Sequence, residues 1–126
     1  MPRLWLLLAA ASGFLTVLAG TFGAHVVALD EYGKGVYETA VHYQMFHTLA
    51  LLAVGILKER FQMPATSLAG WGFLVGIVLF CGSLYLLAVT NVKWLGAIAP
   101  FGGVAFLLGW GALAFGMFRI YRSPSL

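Results

Sequence analysis

Charged side chains are scarce in this 126-residue sequence, which has seven Lys or Arg residues and four Asp or Glu residues, together 9% of the chain. Soluble globular proteins are about 25% charged. Here 62% of the residues are hydrophobic and the mean hydropathy is +0.97. The composition excludes a soluble enzyme domain and a nucleic-acid-binding module, and it predicts an integral membrane protein whose main surroundings are the lipid bilayer.

Cysteine is also scarce. Cys81 is the one cysteine in the sequence, so the chain has no internal disulfide and a disulfide-stapled secreted fold is excluded. We interpret Cys81 as a small core residue. The formal net charge of +3 comes from basic residues spread over short polar segments, and we expect no nucleic-acid partner.

Four uncharged runs cover most of the chain: residues 4–29, 39–57, 61–92 and 94–118. Each is about as long as, or longer than, the roughly 20 residues that a helix needs to cross about 30 Å of hydrocarbon. The runs are apolar on every face, without the polar and apolar alternation of barrel strands. The sequence predicts one transmembrane domain, residues 1–126, that forms an all-α bundle of four transmembrane helices at about 4–24, 36–57, 66–89 and 94–118.

The basic residues predict the orientation of the bundle. Lys and Arg near the ends of membrane spans are biased to the cytoplasmic side. A four-span arrangement places five basic residues on one side and two, Lys34 and Lys93, on the other. We therefore expect both termini in the cytoplasm and a multi-pass location in the bacterial inner membrane. The five cytoplasmic residues are Arg3, Lys58, Arg60, Arg119 and Arg122.

Small residues recur at spacings of three and four in the predicted helices. Lipid tails are as apolar as leucine, so membrane helices associate mainly where small residues let their backbones approach closely. We interpret these glycines as packing seams within the bundle or between copies, with a pore lined by glycine backbone as the alternative. The set is Gly13, Gly20, Gly23, Gly72, Gly76, Gly102, Gly109 and Gly116.

Polar side chains inside the spans are the candidates for function, because ionisable groups in a membrane are costly and usually face a partner or a cavity. Glu38 and His42 are close enough on a helix for a contact between residues i and i+4. His47 lies about 180° around the helix from Glu38, on the face of Tyr43. The predicted intramembrane cluster is His25, Glu38, His42, Tyr43, Gln44 and His47.

Four interpretations of this cluster stay open. In the structural one, Glu38 and His42 lie at headgroup level, and a neutral His47 near the bilayer centre donates one hydrogen bond to a neighbouring helix. The second is a path for protons or a small solute. The third is a metal or haem site, which needs His25 with His47, or His25 with Glu38 and His42; no tight ligand spacing supports it, so we expect no metal and no cofactor. The fourth is a lipid or quinone contact.

Pro100 is predicted about a turn and a half inside the last helix. A proline there removes one backbone hydrogen bond and clashes with the preceding turn. We expect a helix kink at Pro100, and we expect it to serve packing rather than to expose carbonyl groups to an ion.

Several segments carry a family resemblance: FGAH at 22–25, ETAVHYQMFHTLALL at 38–52, GSLYLLAVT at 82–90, LGAIAPFGG at 95–103 and GW at 109–110. Their order and spacing resemble those of the YgdD/YwdK-like family of small bacterial inner-membrane proteins. The resemblance spans nearly the whole chain. It implies a multi-pass membrane protein of a family whose molecular function is unknown.

The sequence contains no pattern typical of an active site, such as a nucleophile with its base, paired carboxylates or a phosphate-binding loop. We therefore expect no enzyme. The preferred hypothesis is a structural or accessory bundle that associates with itself, as a homo-oligomer, or with a larger membrane complex. The alternatives are a channel or transporter that uses the Glu and His residues of the second helix, and a cofactor-binding membrane subunit.

Overall fold

The computed structural model describes residues 2–25 and 28–123, and the side chains of Ala24 and His25 lie outside the described part. Within these residues, four helices are long and apolar enough to cross a membrane. They are α1 (Pro2–His25), α2 (Glu31–Arg60), α3 (Pro64–Thr90) and α4 (Ala99–Arg122). This confirms the all-α bundle with four spans.

Helix α2 begins five residues before the predicted start at residue 36. Asp30 caps it: its carboxylate accepts a hydrogen bond of 2.7 Å from the backbone N–H of Gly33. Side-chain oxygens at this position stabilise helix starts because the first N–H groups lack partners within the helix. Gly33 is buried against the end of α3, where a Cβ atom would lie 3.2 Å from the carbonyl oxygen of Ala88. The glycine therefore allows close approach here rather than ending the helix.

Helix α3 changes geometry near the middle of its length. Residues Pro64–Gly76 are α-helical, Ile77–Cys81 form a π-helical segment, and Gly82–Thr90 are α-helical again. The helix ends at Asn91, which has a left-handed backbone (φ 62°) and donates its N–H to the carbonyl of Leu87 at 2.8 Å. Asparagine tolerates this conformation better than most residues.

The predicted kink at Pro100 rested on an α-helix that begins at residue 94. Residues Lys93–Ala97 form a 3-10 turn instead, and α4 begins at Ala99. Pro100 therefore lies in the first turn of α4, where the backbone N–H has no partner within the helix to lose. The change from 3-10 to α geometry just before the proline replaces the expected kink.

The helices pack in chain order, α1 on α2, α2 on α3 and α3 on α4. We call the end that holds residue 2, the α2–α3 turn and residue 122 the terminal end, and the opposite end the distal end. A buried cluster toward the terminal end is built around Trp5, Leu51 and Phe73, and a second cluster toward the distal end is built around Cys81 and Phe106. Cys81 is thus buried in the core.

The closest backbone approach lies between α3 and α4. A Cβ atom added at Gly72 would lie 2.8 Å from the Cα of Gly109 and 2.9 Å from the carbonyl oxygen of Ala105. A Cβ atom at Gly102 would overlap the backbone of Phe80 in the π-helical segment. The remaining predicted glycines of these helices face side chains: Gly76 the ring of Phe106, Gly109 the ring of Phe73, and Gly116 the side chains of Ala65 and Met63.

The α1–α2 contact is looser at two of its predicted glycines. Side chains added at Gly13 and Gly20 would meet their nearest neighbours at 3.6 and 4.0 Å, which is ordinary van der Waals distance. Gly23 differs, because its Cβ would overlap the ring of Tyr37. Besides Gly33, two glycines make close contacts that the sequence pattern missed: Gly55 faces Leu6 and Gly70 faces Trp5.

Candidate functional site

The structure divides the predicted polar cluster into two groups. Glu38 and His42 are exposed on the outer face of α2, and no hydrogen bond joins them in the described part of the chain. Gln44 and His47 are buried, at 5% and 3% exposure, on the faces of α2 that contact other helices. The His25 side chain lies outside the described residues, so any contact of this histidine with the others stays a prediction.

His47 is held by hydrogen bonds at both ring nitrogens. Its Nδ1 lies 2.8 Å from the carbonyl oxygen of Tyr43 one turn earlier, and its Nε2 lies 3.0 Å from the indole Nε1 of Trp110 on α4. Because a carbonyl only accepts and an indole N–H only donates, Nδ1 carries the proton and Nε2 accepts. The ring is therefore neutral in this arrangement. The predicted direction of the interhelical bond is wrong: His47 accepts from the neighbouring helix, while its own N–H stays within α2.

Aromatic rings enclose the His47 side chain. The imidazole stacks on Phe106 with ring centroids 3.6 Å apart and planes 11° apart, and Tyr43 stacks parallel to it at 6.1 Å. Phe73 and Phe46 contact its remaining sides. His47 thus links α2 to α4 through one hydrogen bond and one ring stack, in a region where large side chains rather than glycines fill the space between the helices.

Gln44 is the centre of a second polar network, which joins α1, α2 and α3. Its amide nitrogen donates to the carbonyl and the hydroxyl of Ser12, each at 3.3 Å, and its amide oxygen accepts from the Tyr85 hydroxyl at 2.7 Å. The Ser12 hydroxyl also lies 2.6 Å from that of Thr48. Interhelical bonds of this kind fix how membrane helices are rotated against each other.

Reasoning from the sequence missed three members of this network: Ser12, Thr48 and Tyr85. One signal was present, since Gln44 and Thr48 are four residues apart on one face of α2 and Ser12 and Thr16 repeat that spacing on α1. A weak hydroxyl pattern within apolar runs does not tell which helix supplies the partner. Tyr85 carried no signal, because its bond to Gln44 spans 41 residues of sequence.

The described interior is fully paired. Every buried side-chain nitrogen or oxygen atom in residues 2–23 and 28–123 has a hydrogen-bond partner. Within the same residues, no three His, Cys, Asp or Glu side chains come close enough together to hold a metal ion. The arrangement can hold helices in register, and among the side chains that the structure describes no open row of donors and acceptors crosses the bundle.

A groove between α2 and α4, which we call the α2–α4 groove, reaches His47 from the lipid side and encloses about 760 Å³. Its lining is mostly aromatic and aliphatic. Tyr43 and Phe46 line it from α2, Phe80 from α3, and Gly103 and Trp110 from α4. His42 lies at its edge and also lines a neighbouring pocket with Glu38 and Lys34.

The chain matches a family model described as "Protein of unknown function (DUF423)" over residues 19–103. It is 42% identical to the UPF0382 membrane protein YwdK of Bacillus subtilis over 86% of this chain and 90% of the relative. It is 39% identical to the UPF0382 inner membrane protein YgdD of Escherichia coli K12 over 95% and 93% of the two chains.

A UPF0382 membrane protein of Staphylococcus saprophyticus is 41% identical over 94% of this chain and 99% of the relative. No solved structure matches the chain. The resemblance to the YgdD/YwdK-like proteins and the predicted location are confirmed. The chain belongs to the DUF423 family of unknown function, and it is a multi-pass bacterial inner-membrane protein.

Proposed function

We propose that this protein is a non-enzymatic accessory bundle, with both termini in the cytoplasm, that acts by lateral association with other membrane helices. The observation that supports this most is the paired interior. Within each of the two polar networks, one around Gln44 and one around His47, the buried hydrogen-bonding groups pair with one another. A path for protons or a polar solute needs open donors and acceptors or water along its length, and the groove that reaches His47 is mainly apolar.

The outer surface of α3 and α4 supports the lateral association. A shallow groove of about 990 Å³ runs between these helices, with Gly72, Gly111 and Ala112 in its floor. Trp71 and Phe115 are about half exposed at its sides. Small residues between larger ones allow another helix to approach closely. We name this surface the Gly72 face, and we assign it to α3 and α4 of a second copy of the chain.

Disulfide cross-linking in native membranes tests the association. Cys81 is the one cysteine, so a Cys81→Ala chain accepts single introduced cysteines without background. Gly111→Cys is expected to give an oxidant-dependent dimer, because position 111 lies in the Gly72 face and has open space around it. Leu49→Cys, exposed on α2, is the matched control and is expected to stay monomeric.

Equal cross-linking at both positions contradicts a specific interface. Absence of cross-linking at position 111, together with a different protein that co-purifies in mild detergent, favours a larger complex over a homo-oligomer. If position 111 gives no cross-link and no other protein co-purifies, lateral association is contradicted.

Proton flux into proteoliposomes tests the other part of the proposal. With a pH-sensitive dye inside the vesicles, the protein is expected to give no flux above protein-free vesicles. A flux that His47→Leu abolishes and that a Leu49→Ile control, at an exposed position outside the groove, leaves unchanged contradicts the accessory role and supports the solute path.

A further inference from the structure

The α2–α4 groove has walls suited to a flat ring. Tyr43 and Phe80 lie with ring centroids 4.6 Å apart, and Phe80 and Phe106 lie 5.6 Å apart, so these tilted rings form a continuous aromatic surface at its inner side. His47 and Trp110 also line it. Aromatic side chains that line a groove can stack on a planar ring that enters it, in offset or tilted arrangements.

The hydrogen-bonding groups of the groove differ with depth. Trp110 and His47 are paired with each other and with the Tyr43 carbonyl, so the deep part offers no free donor. The Tyr43 hydroxyl and the His42 ring, in contrast, make no hydrogen bond with any described residue. These two polar groups are therefore available to a molecule that enters the groove.

The two groups lie below the membrane surface. Glu38 and Lys58 are twenty residues apart, which is about 30 Å of helix and matches the thickness of the hydrocarbon layer. His42 and Tyr43 lie about 6 and 7–8 Å further along the helix than Glu38. Unpaired polar groups are costly away from water, so an occupant that accepts a hydrogen bond at this depth is favoured over one that does not.

The groove is accessible from the lipid. Leu107 and Val104 at its α4 side are exposed, and a Cβ atom added at Gly103 would meet no atom within 4 Å. A lipid-soluble molecule can therefore enter sideways from the bilayer without passing through water. The missing side chain at Gly103 leaves space at the entrance.

We propose that the α2–α4 groove binds the head ring of a lipid-soluble quinone-class molecule. The ring lies against Phe80 and Tyr43, a ring carbonyl accepts a hydrogen bond from the Tyr43 hydroxyl, and the apolar chain leaves along Val104 and Leu107 into the bilayer. A fatty acyl chain can fill the same groove, but it offers no acceptor to Tyr43 at this depth. The site binds the ring and carries out no reaction on it.

Tryptophan fluorescence in phosphatidylcholine nanodiscs, titrated with decylubiquinone, tests the assignment. Trp110 lines the groove, so a bound quinone ring is expected to quench it. Quinone dissolved in the lipid quenches every tryptophan in proportion to its concentration, whereas a site gives an additional component that saturates. The wild-type protein is expected to show the saturating component.

Two variants test whether the saturating component of the quenching comes from binding in the groove. Gly103→Leu fills the entrance and is expected to weaken binding about tenfold or more. Tyr43→Phe removes one hydroxyl and is expected to weaken binding about fivefold. Ala114→Leu is the matched control, because it also adds a leucine to an exposed position of α4 but lines neither this groove nor the Gly72 face; its binding is expected to equal that of the wild type.

Circular dichroism and thermal unfolding establish that each variant is folded. If Gly103→Leu is unstable, Val104→Phe narrows the same groove from an exposed position. Quenching without saturation in the wild type overturns the proposal, as does equal binding by the Gly103→Leu and Ala114→Leu variants. Saturating binding that Tyr43→Phe leaves unchanged also overturns it and indicates an acyl-chain groove. These outcomes do not depend on cross-linking at the Gly72 face.

Discussion

A histidine in the middle of a membrane helix is costly unless both ring nitrogens find partners. Here Tyr43 and Trp110 supply them, one from the same helix and one from α4. The pairing explains how a titratable residue is kept in the core as a neutral packing element. It also predicts the effect of a substitution: removal of the imidazole leaves the Trp110 N–H without an acceptor.

His47→Leu is expected to lower the free energy of unfolding in detergent by about 1–2 kcal/mol, because the Trp110 indole loses its acceptor, the interhelical hydrogen bond to the buried His47. His47→Gln is expected to keep most of the stability, since an amide oxygen can accept from the indole. Thermal unfolding followed by circular dichroism measures both.

The His47→Leu, Trp110→Phe double variant supplies the control. If the hydrogen bond accounts for the loss, the double variant loses less stability than the sum of the single variants. A His47→Leu protein as stable as the wild type contradicts the structural role of the bond.

At the scale of the helices, two kinds of contact hold the bundle. The α3–α4 pair meets backbone to backbone through Gly72 and Gly109, while α2 and α4 are bridged by the rings around His47 at the base of the α2–α4 groove. Close backbone contact leaves no space for a side chain, whereas flexible neighbours can adjust. Glycines in the same kind of stripe therefore differ in how much they tolerate substitution.

Gly72→Ala is expected to destabilise the bundle by about 1–3 kcal/mol, because its Cβ would meet the Gly109 backbone. Gly20→Ala is expected to be neutral or slightly stabilising: its nearest neighbour is Val41 at 4.0 Å, and alanine favours a helix over glycine by about 1 kcal/mol. Thermal unfolding in detergent measures both variants.

Larger side chains extend the comparison. Gly109→Leu is expected to cost more than Gly20→Leu, and the exposed Leu107→Ile is the control with little change. Equal stability of the Gly72→Ala and Gly20→Ala proteins argues against the close α3–α4 approach.

The two ends of the molecule differ in their number of basic residues. Arg3, Lys58, Arg60, Arg119 and Arg122 are at the terminal end, and Lys34 and Lys93 at the distal end. The distal lysine Lys93 lies 4.1 Å from the ring centre of Tyr32, so the α3–α4 connection contacts the first turn of α2 there. The asymmetry favours insertion with the terminal end in the cytoplasm.

Labelling of intact cells tests this orientation. In the Cys81→Ala chain, Tyr32→Cys at the distal end is expected to react with a membrane-impermeant thiol reagent, and Ser123→Cys at the terminal end is expected to react only after the cells are opened. Labelling of position 123 alone in intact cells indicates the inverted orientation.

Much of the fold was predictable from local sequence. The four spans follow from runs without charge, and Lys58 with Arg60 correctly marks the end of α2. The start of α2 was placed too late because Gly33 and Gly35 suggested a loop; the Asp30 cap and the contact of Gly33 with α3 decided otherwise. Pro100 was placed inside a helix because nothing local distinguishes a preceding 3-10 turn from an α-helix.

Entry into the membrane and the number of crossings follow from the amino-acid sequence alone, because the cost of burying charge in lipid acts on each segment separately. Which side chains meet depends on the packing of the folded helices. His47 and Trp110 are 63 residues apart, and Gln44 and Tyr85 are 41 apart. Their contacts depend on how each helix is rotated and displaced along its neighbour, and a change of one residue in that register turns each side chain by about 100°.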